Sequence, residues 1–169
     1  MKTTGKASNL SGETQAKATH LDHTIFSKHF DWEELSLLAG FMTYQNLLPG
    51  EFLCEEGDPG TFMGVLLRGV LSVVKNAPCE SPTLVCDIHR GHVVGEQALV
   101  DREPRSASIL AQTPAALLVL RREAYEVIVN NHPRLGVKLM GVLASEMSAR
   151  LRMATGQLAC GNGAKAAKR

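Results

Sequence analysis

The residue types best suited to ligand chemistry stand together in Gly95-Glu96-Gln97-Ala98-Leu99, followed after five intervening residues by Arg105-Ser106-Ala107. Gly95 permits a close backbone approach or a positive φ. Glu96 to Leu99 fits a single helical turn, whose free N–H groups make a small anion site. Val100–Glu103 loops out, and Pro104 stiffens the return into a strand that opens with Arg105. A hairpin-like path of this kind brings Glu96 and Arg105 to opposite sides of one small pocket. There a carboxylate accepts hydrogen bonds from sugar hydroxyls, and a guanidinium grips a phosphate through two N–H groups. Taken alone, a Glu and an Arg nine residues apart are more often a surface ion pair contributing ~0–1 kcal/mol. The elements around them decide between the two readings.

From Met42 to Arg121, short apolar or alternating runs are cut at regular intervals by Gly, Pro, Asn and Asp. The runs are Thr43–Leu48, Glu51–Cys54, Phe62–Leu67, Val70–Lys75, Thr83–His89, Ser106–Ala111 and Ala115–Leu120. Strands this short and evenly spaced predict a sandwich or β-roll. The Val and Leu density of Val70–Val74 and Leu117–Leu120 predicts strands facing a filled interior. Helices flank this block. Asp31 with Glu34 forms a capping box ahead of Leu35, Leu38 and Phe41. Arg122–Val129 is a helix stopped at Asn130-Asn131-His132-Pro133, and Pro133 suits the first turn of a longer one reaching Met153 or Leu158. In that last helix Leu135, Leu139 and Val142 are expected against the roll, and Met140, Leu143, Met147, Leu151, Ala154 and Leu158 along a helix–helix seam. The expected organisation is a flexible tail over 1–23, a domain over 24–158 (β-roll about 42–121, C-terminal helices about 122–158) and a flexible tail over 159–169. The fold class is mainly β with flanking helices: a double-stranded β-helix, jelly-roll-like, followed by a long C-terminal helix.

The order Gly-Glu-x-Ala-Leu, gap, Pro-Arg-Ser-Ala resembles the phosphate-binding cassette of the cyclic-nucleotide-binding domain family, which includes the catabolite activator proteins. The resemblance covers roughly Thr24 to Leu158. It extends to Leu48-Pro49-Gly50-Glu51, Glu56-Gly57-Asp58-Pro59-Gly60, Gly69 and the Asn131-His132-Pro133 break. It implies that Gly95 and the backbone of Gln97 and Ala98 line a phosphate, that Glu96 takes the ribose 2′-hydroxyl, and that Arg105 pairs with the exocyclic phosphate oxygens. Ser106, beside Ala107, becomes an extra donor, and a hydroxyl there does not separate cAMP from cGMP. Arg150 falls near the point where the last helix caps the base. Val94, Gln97 and Gly64 depart from the family's usual residues without touching the Glu–Arg pair.

The chain's 169 residues suffice for one domain plus some tail. Lys+Arg at 18 against Asp+Glu at 17 gives no broad attraction to nucleic acid or anionic membrane. The start, Met1 to Thr19, lacks an apolar h-region, and no run approaches the roughly 20 apolar residues of a membrane span. Cys54, Cys79, Cys86 and Cys160 show no Cys-x-x-Cys spacing, so a cytoplasmic protein with reduced thiols is expected. Only residues 159–169 follow Leu158, too few for a three-helix DNA-reading module, and no DNA partner is expected. Cys86, His89, His92 and Glu96 are competent metal ligands, but His89 and His92 straddle an Arg-Gly turn, which points them apart. No catalytic residue, metal or cofactor is expected. The leading reading is a stand-alone sensor of cAMP or cGMP, signalling through its C-terminal helix to an unidentified protein partner or to the second subunit of a homodimer. A ligand-free interaction scaffold of the same fold and a metal-dependent cupin-like enzyme are the alternatives.

Overall fold

Eight strands, all paired antiparallel, make two four-stranded sheets in the computed structural model, which describes residues 11–77 and 80–166. The first sheet runs β1 (Met42–Leu47), β8 (Ala115–Arg121), β3 (Phe62–Arg68), β6 (Val93–Val94); the second runs β2 (Phe52–Cys54), β7 (Ser108–Ala111), β4 (Leu71–Ala77), β5 (Glu80–Ile88). Apart from the β4–β5 hairpin, which stays within the second sheet, consecutive strands alternate between sheets, and the chain winds into a roll. The expected strands are all present, and the two-residue β6 is an addition too short for any periodicity to reveal.

The continuous apolar runs have a direct cause. In β8, Leu117 and Val119 point into the roll beside Leu53, Leu66, Leu71 and Ile109, whereas Leu118 and Leu120 pack outward against the helices. A strand covered on both faces loses the polar half of its alternation. The helical layer on the outer face consists of α1 (Gly12–Asp22), the 3-10 turn Ile25–Lys28, α2 (Trp32–Gly40), α4 (Arg122–Asn131) and the first turns of α5 (Pro133–Ala166). The Asp31 carboxylate accepts from the Glu34 amide and the Glu34 carboxylate from the Asp31 amide, both at 2.9 Å, so α2 starts on the expected capping box.

Three expectations are corrected here. Residues 12–22 are helical, not a flexible tail: Ser11 caps α1, and Ala18 and Leu21 are fully buried in the outer core. Only those two apolar residues and the aliphatic stem of Lys17 face inward, too few to establish a period; Lys17 keeps its charge paired with Glu13 at 2.7 Å. Residues 1–10 and 167–169 of the expected tails lie outside the described residues. The last helix continues to Ala166 rather than fraying after Leu158: Gly161 and Gly163 each weaken it by about 1 kcal/mol relative to Ala, but 159–166 contains no proline to remove a backbone N–H. Finally, Leu143 belongs to the core with Leu135, Leu139 and Val142 and not to a separate seam, while Leu151 is 69% exposed. The side chain of Leu158 lies outside the described residues.

Candidate functional site

The cassette is a short excursion between β6 and β7. Gly95 takes φ +66°, and a Cβ there would collide with the guanidinium of Arg105, so glycine is required both for the turn and for the approach. Glu96 leads into α3 (Gln97–Asp101), and the chain returns through Pro104 to Arg105. The Arg105 backbone is pinned to the β2–β3 turn, its N–H donating to the Asp58 carbonyl at 2.8 Å and its carbonyl accepting from the Gly57 N–H at 2.9 Å.

Arg105 is buried at 5% exposure. Its Nη1 donates to the Gly95 carbonyl and its Nη2 to the Phe62 carbonyl, both at 2.7 Å, and the guanidinium stacks 4.3 Å from the Phe62 ring centroid. Nε has no partner, and none of the ion pairs among the described residues includes this arginine. A guanidinium carries five N–H donors, so three remain unused. Burial is the main cause that lowers the Arg105 pKa, opposed by the neighbouring Cys54, Glu96 and Asp58; at neutral pH the group stays charged. The outcome is a desolvated cation held by carbonyl dipoles, without a counter-ion.

Glu96 is 3% exposed. Its Oε1 accepts from Arg150 Nη1 at 2.7 Å, and Arg150 Nη2 donates to the Val93 carbonyl at 2.6 Å. Arg150 stands on the fifth turn of α5, so the helix reaches over the cassette and its guanidinium neutralises the buried carboxylate. Across the cassette, the Ser106 hydroxyl donates to Gln97 Oε1 at 2.7 Å, closing the two ends of the excursion on each other.

All eight residues singled out in the sequence (Gly95, Glu96, Gln97, Ala98, Arg105, Ser106, Ala107, Arg150) line one cavity of about 440 Å³, a size suited to a small organic ligand. Sequence reasoning missed the rest of the wall. Val73, Cys86, Asp87 and Ile88 come from β4 and β5, and Glu146, Ala149 and Met153 from α5. It also missed Phe62, the platform under Arg105. The α5 residues recur every three or four positions beside Arg150, a signal that the assignment of Met147, Leu151 and Ala154 to a seam had obscured. His89, His92 and Cys86 do line the cavity, but among the described residues no three His, Cys, Asp or Glu groups converge as metal ligands would.

Residues 44–132, just over half of the chain, match the family model for the cyclic nucleotide-binding domain. The chain belongs to the cyclic nucleotide-binding domain family. It is 29% identical over 118 residues to the cAMP-dependent protein kinase regulatory subunit of Dictyostelium discoideum, covering 69% of this chain and 36% of that protein. Identity is 30% over 120 residues to cGMP-dependent protein kinase 2 of Homo sapiens, covering 70% of this chain and 16% of that protein. The match thus spans about a third or less of these relatives. A cyclic nucleotide-binding domain from Methylobacillus flagellatus KT superposes with a TM-score of 0.76 at 28% identity, over 85% of this chain and 81% of that one. The β-roll with its long terminal helix is therefore the fold of the cyclic nucleotide-binding domain, and the family's ligand is a cyclic nucleotide. Among the described residues, no helix is long and apolar enough to cross a membrane.

Proposed function

We propose that this chain is a cytoplasmic, non-catalytic sensor of cAMP or cGMP whose output is the position of α5. The observation that carries the reading is Arg105: a buried guanidinium with three unused N–H donors and, among the described residues, no ion-pair partner, facing a cavity of about 440 Å³. Leaving a buried cation uncompensated is costly unless an anion completes the site. An exocyclic cyclic-phosphate oxygen pair meets that need, joined by the Gly95–Ala98 backbone and by Ser106. Glu96 then receives the ribose 2′-hydroxyl on Oε2, its Oε1 being held by Arg150. Arg150, Glu146 and Met153 bring α5 over the base side, which makes α5 the element that senses occupancy by differential contact. Leu151, 69% exposed, offers the outer turns of α5 to a second subunit or a protein partner.

The deciding experiment is calorimetric titration with cAMP and cGMP, with 5′-AMP as the acyclic control. One saturable site is expected for at least one cyclic nucleotide, with 5′-AMP at least about tenfold weaker, equivalent to 1.4 kcal/mol. Flat titrations with both cyclic nucleotides reject the reading. A second expectation concerns the thiols. Cys86 is exposed and lines the cavity, whereas Cys54 is buried and its thiol pKa is pushed up chiefly by that burial. Because the thiolate is the nucleophile, iodoacetamide should modify Cys86 quickly and Cys54 slowly. Saturating cyclic nucleotide should slow the Cys86 reaction alone, read peptide by peptide in a mass spectrometer. Equal rates at Cys86 with and without ligand would place the nucleotide elsewhere.

A further inference from the structure

Arg122 is the first residue of α4, yet its side chain turns back to the cassette. Its Nη2 donates to the Gly60 carbonyl at 2.6 Å and also to the Ala98 carbonyl. Gly60 belongs to the β2–β3 turn and Ala98 to α3, and the two residues touch: a Cβ on Gly60 would overlap the Ala98 methyl and crowd the Glu103 carbonyl. One nitrogen thus staples two segments distant in sequence at their point of closest approach. The same turn holds Arg105 through Gly57 and Asp58. The turn therefore carries Arg105 on one side and α3 on the other, and Arg122 ties both to α4. At the other end of α3, Arg102, with φ +63°, lies 3.9 Å from Glu126 of α4. Between these ends Leu99 is buried in the core shared with Ile128 and with Leu139 of α5.

We propose that Arg122 is a positioning residue for the cassette, setting the spacing between the α3 backbone and the Arg105 guanidinium and joining that spacing to the first turn of α4. Its effect on the ligand rests on the cyclic-nucleotide reading above, but the staple itself exists in the ligand-free chain and is tested there. A cation bridging two carbonyls makes charge-assisted bonds, stronger than neutral ones. Loss of that bridge frees α3 to part from the β2–β3 turn while the roll, built on other contacts, stays closed. Any displacement of α3 by a ligand then pulls on α4, which runs through His132 into α5.

Two substitutions separate the donor from the bulk of the side chain. Arg122→Met keeps an aliphatic stem and removes every N–H; Arg122→Lys restores one nitrogen able to donate to both oxygens. In the ligand-free protein, amide hydrogen exchange over 97–103 and 122–126 is expected to rise at least about fivefold in Arg122→Met, with β3 and β8 unchanged, and to return most of the way in Arg122→Lys. Titration with the nucleotide that the wild type binds should weaken at least about tenfold in Arg122→Met and within about threefold in Arg122→Lys. Exchange equal to wild type in Arg122→Met overturns the proposal. So does an Arg122→Lys protein no better than Arg122→Met, since the loss would then belong to packing. Should Arg122→Met open the whole roll, the comparison of Arg122→Lys with wild type decides alone. If the wild type binds neither nucleotide while the exchange pattern holds, the sensor reading falls and the staple stands.

Discussion

Alanine in place of Arg105 is expected to weaken cyclic nucleotide binding by about 30-fold to several thousand-fold, the equivalent of roughly 2–5 kcal/mol for one partner of a buried, hydrogen-bonded charge pair. The effect on the empty protein should be far smaller, because the terms oppose one another. The substitution removes two carbonyl hydrogen bonds and the stacking on Phe62, the latter contributing about 0.5–2 kcal/mol. It also removes a buried cation that pays desolvation without an ion pair. The freed Gly95 and Phe62 carbonyls then face the cavity, where water reaches them. Thermal unfolding with and without nucleotide reads both effects at once. At a hundred times the dissociation constant, ligand stabilises the wild type by about 2.7 kcal/mol, a rise of roughly 5–11 °C in Tm for a chain of this size. In Arg105→Ala that rise should shrink to no more than roughly 2–4 °C, the remainder of about 0.9 kcal/mol left by a 30-fold loss of affinity, while the ligand-free Tm moves little. A variant whose Tm climbs as far as the wild type's would remove Arg105 from the site.

The second large effect concerns Glu96 and Arg150. Removing one partner of a fully buried ion pair costs about 3–5 kcal/mol because the other is left uncompensated. Here the Arg150 side chain is 39% exposed and that of Glu96 4%, so solvent screens part of the loss and about 1–3 kcal/mol is expected for Arg150→Met. Glu96→Gln removes the charge that needs compensation. The double variant should therefore be more stable than the sum of the two singles implies, by a coupling of about 1 kcal/mol. The ligand adds an independent reading. The wild type should prefer cAMP to 2′-deoxy-cAMP by about tenfold or more, reflecting a charge-assisted bond of roughly 1.5–3 kcal/mol to the 2′-hydroxyl. In Glu96→Gln that preference should shrink to a fewfold. Should the deoxy analogue remain equally disfavoured in the variant, the hydroxyl is read by another group. Arg150→Met also detaches α5 from the cassette, since the same side chain holds the Val93 carbonyl, and faster amide exchange over residues 146–156 would report it.

Much of this arrangement is legible before folding. The strands of the roll are visible because each turn is marked by a residue with a backbone reason to be there. Gly69 takes φ +95° in the β3–β4 turn, and Gly50 takes φ +88° after Pro49. The Asp31–Glu34 box is equally local. The pairing of Glu96 with Arg105 across one cavity follows from a short excursion whose ends return to neighbouring strands, a distance that chain geometry limits. Helix α1 was not legible, since only Ala18, Leu21 and the Lys17 stem turn inward. The reading of α5 as two stripes was half right. Leu135, Leu139 and Val142 pack inward as expected, but of the second stripe only Leu143 joins them in the core, and Leu151 is exposed.

By itself, the sequence determined the β-roll, the capped helix before it, the two helices after it and the cassette with its acid and its base, because each depends on contacts within a few residues or on a repeating pattern. Tertiary structure alone decided what surrounds them: Phe62 beneath Arg105, Arg150 on Glu96, and Arg122 bridging Gly60 to Ala98. These partners are 43, 54, 62 and 24 residues apart, too far for local spacing to pair them. A single arginine on a helix has the same local signature whether it meets water or a buried carboxylate, and only the packing of that helix on the roll selects one outcome.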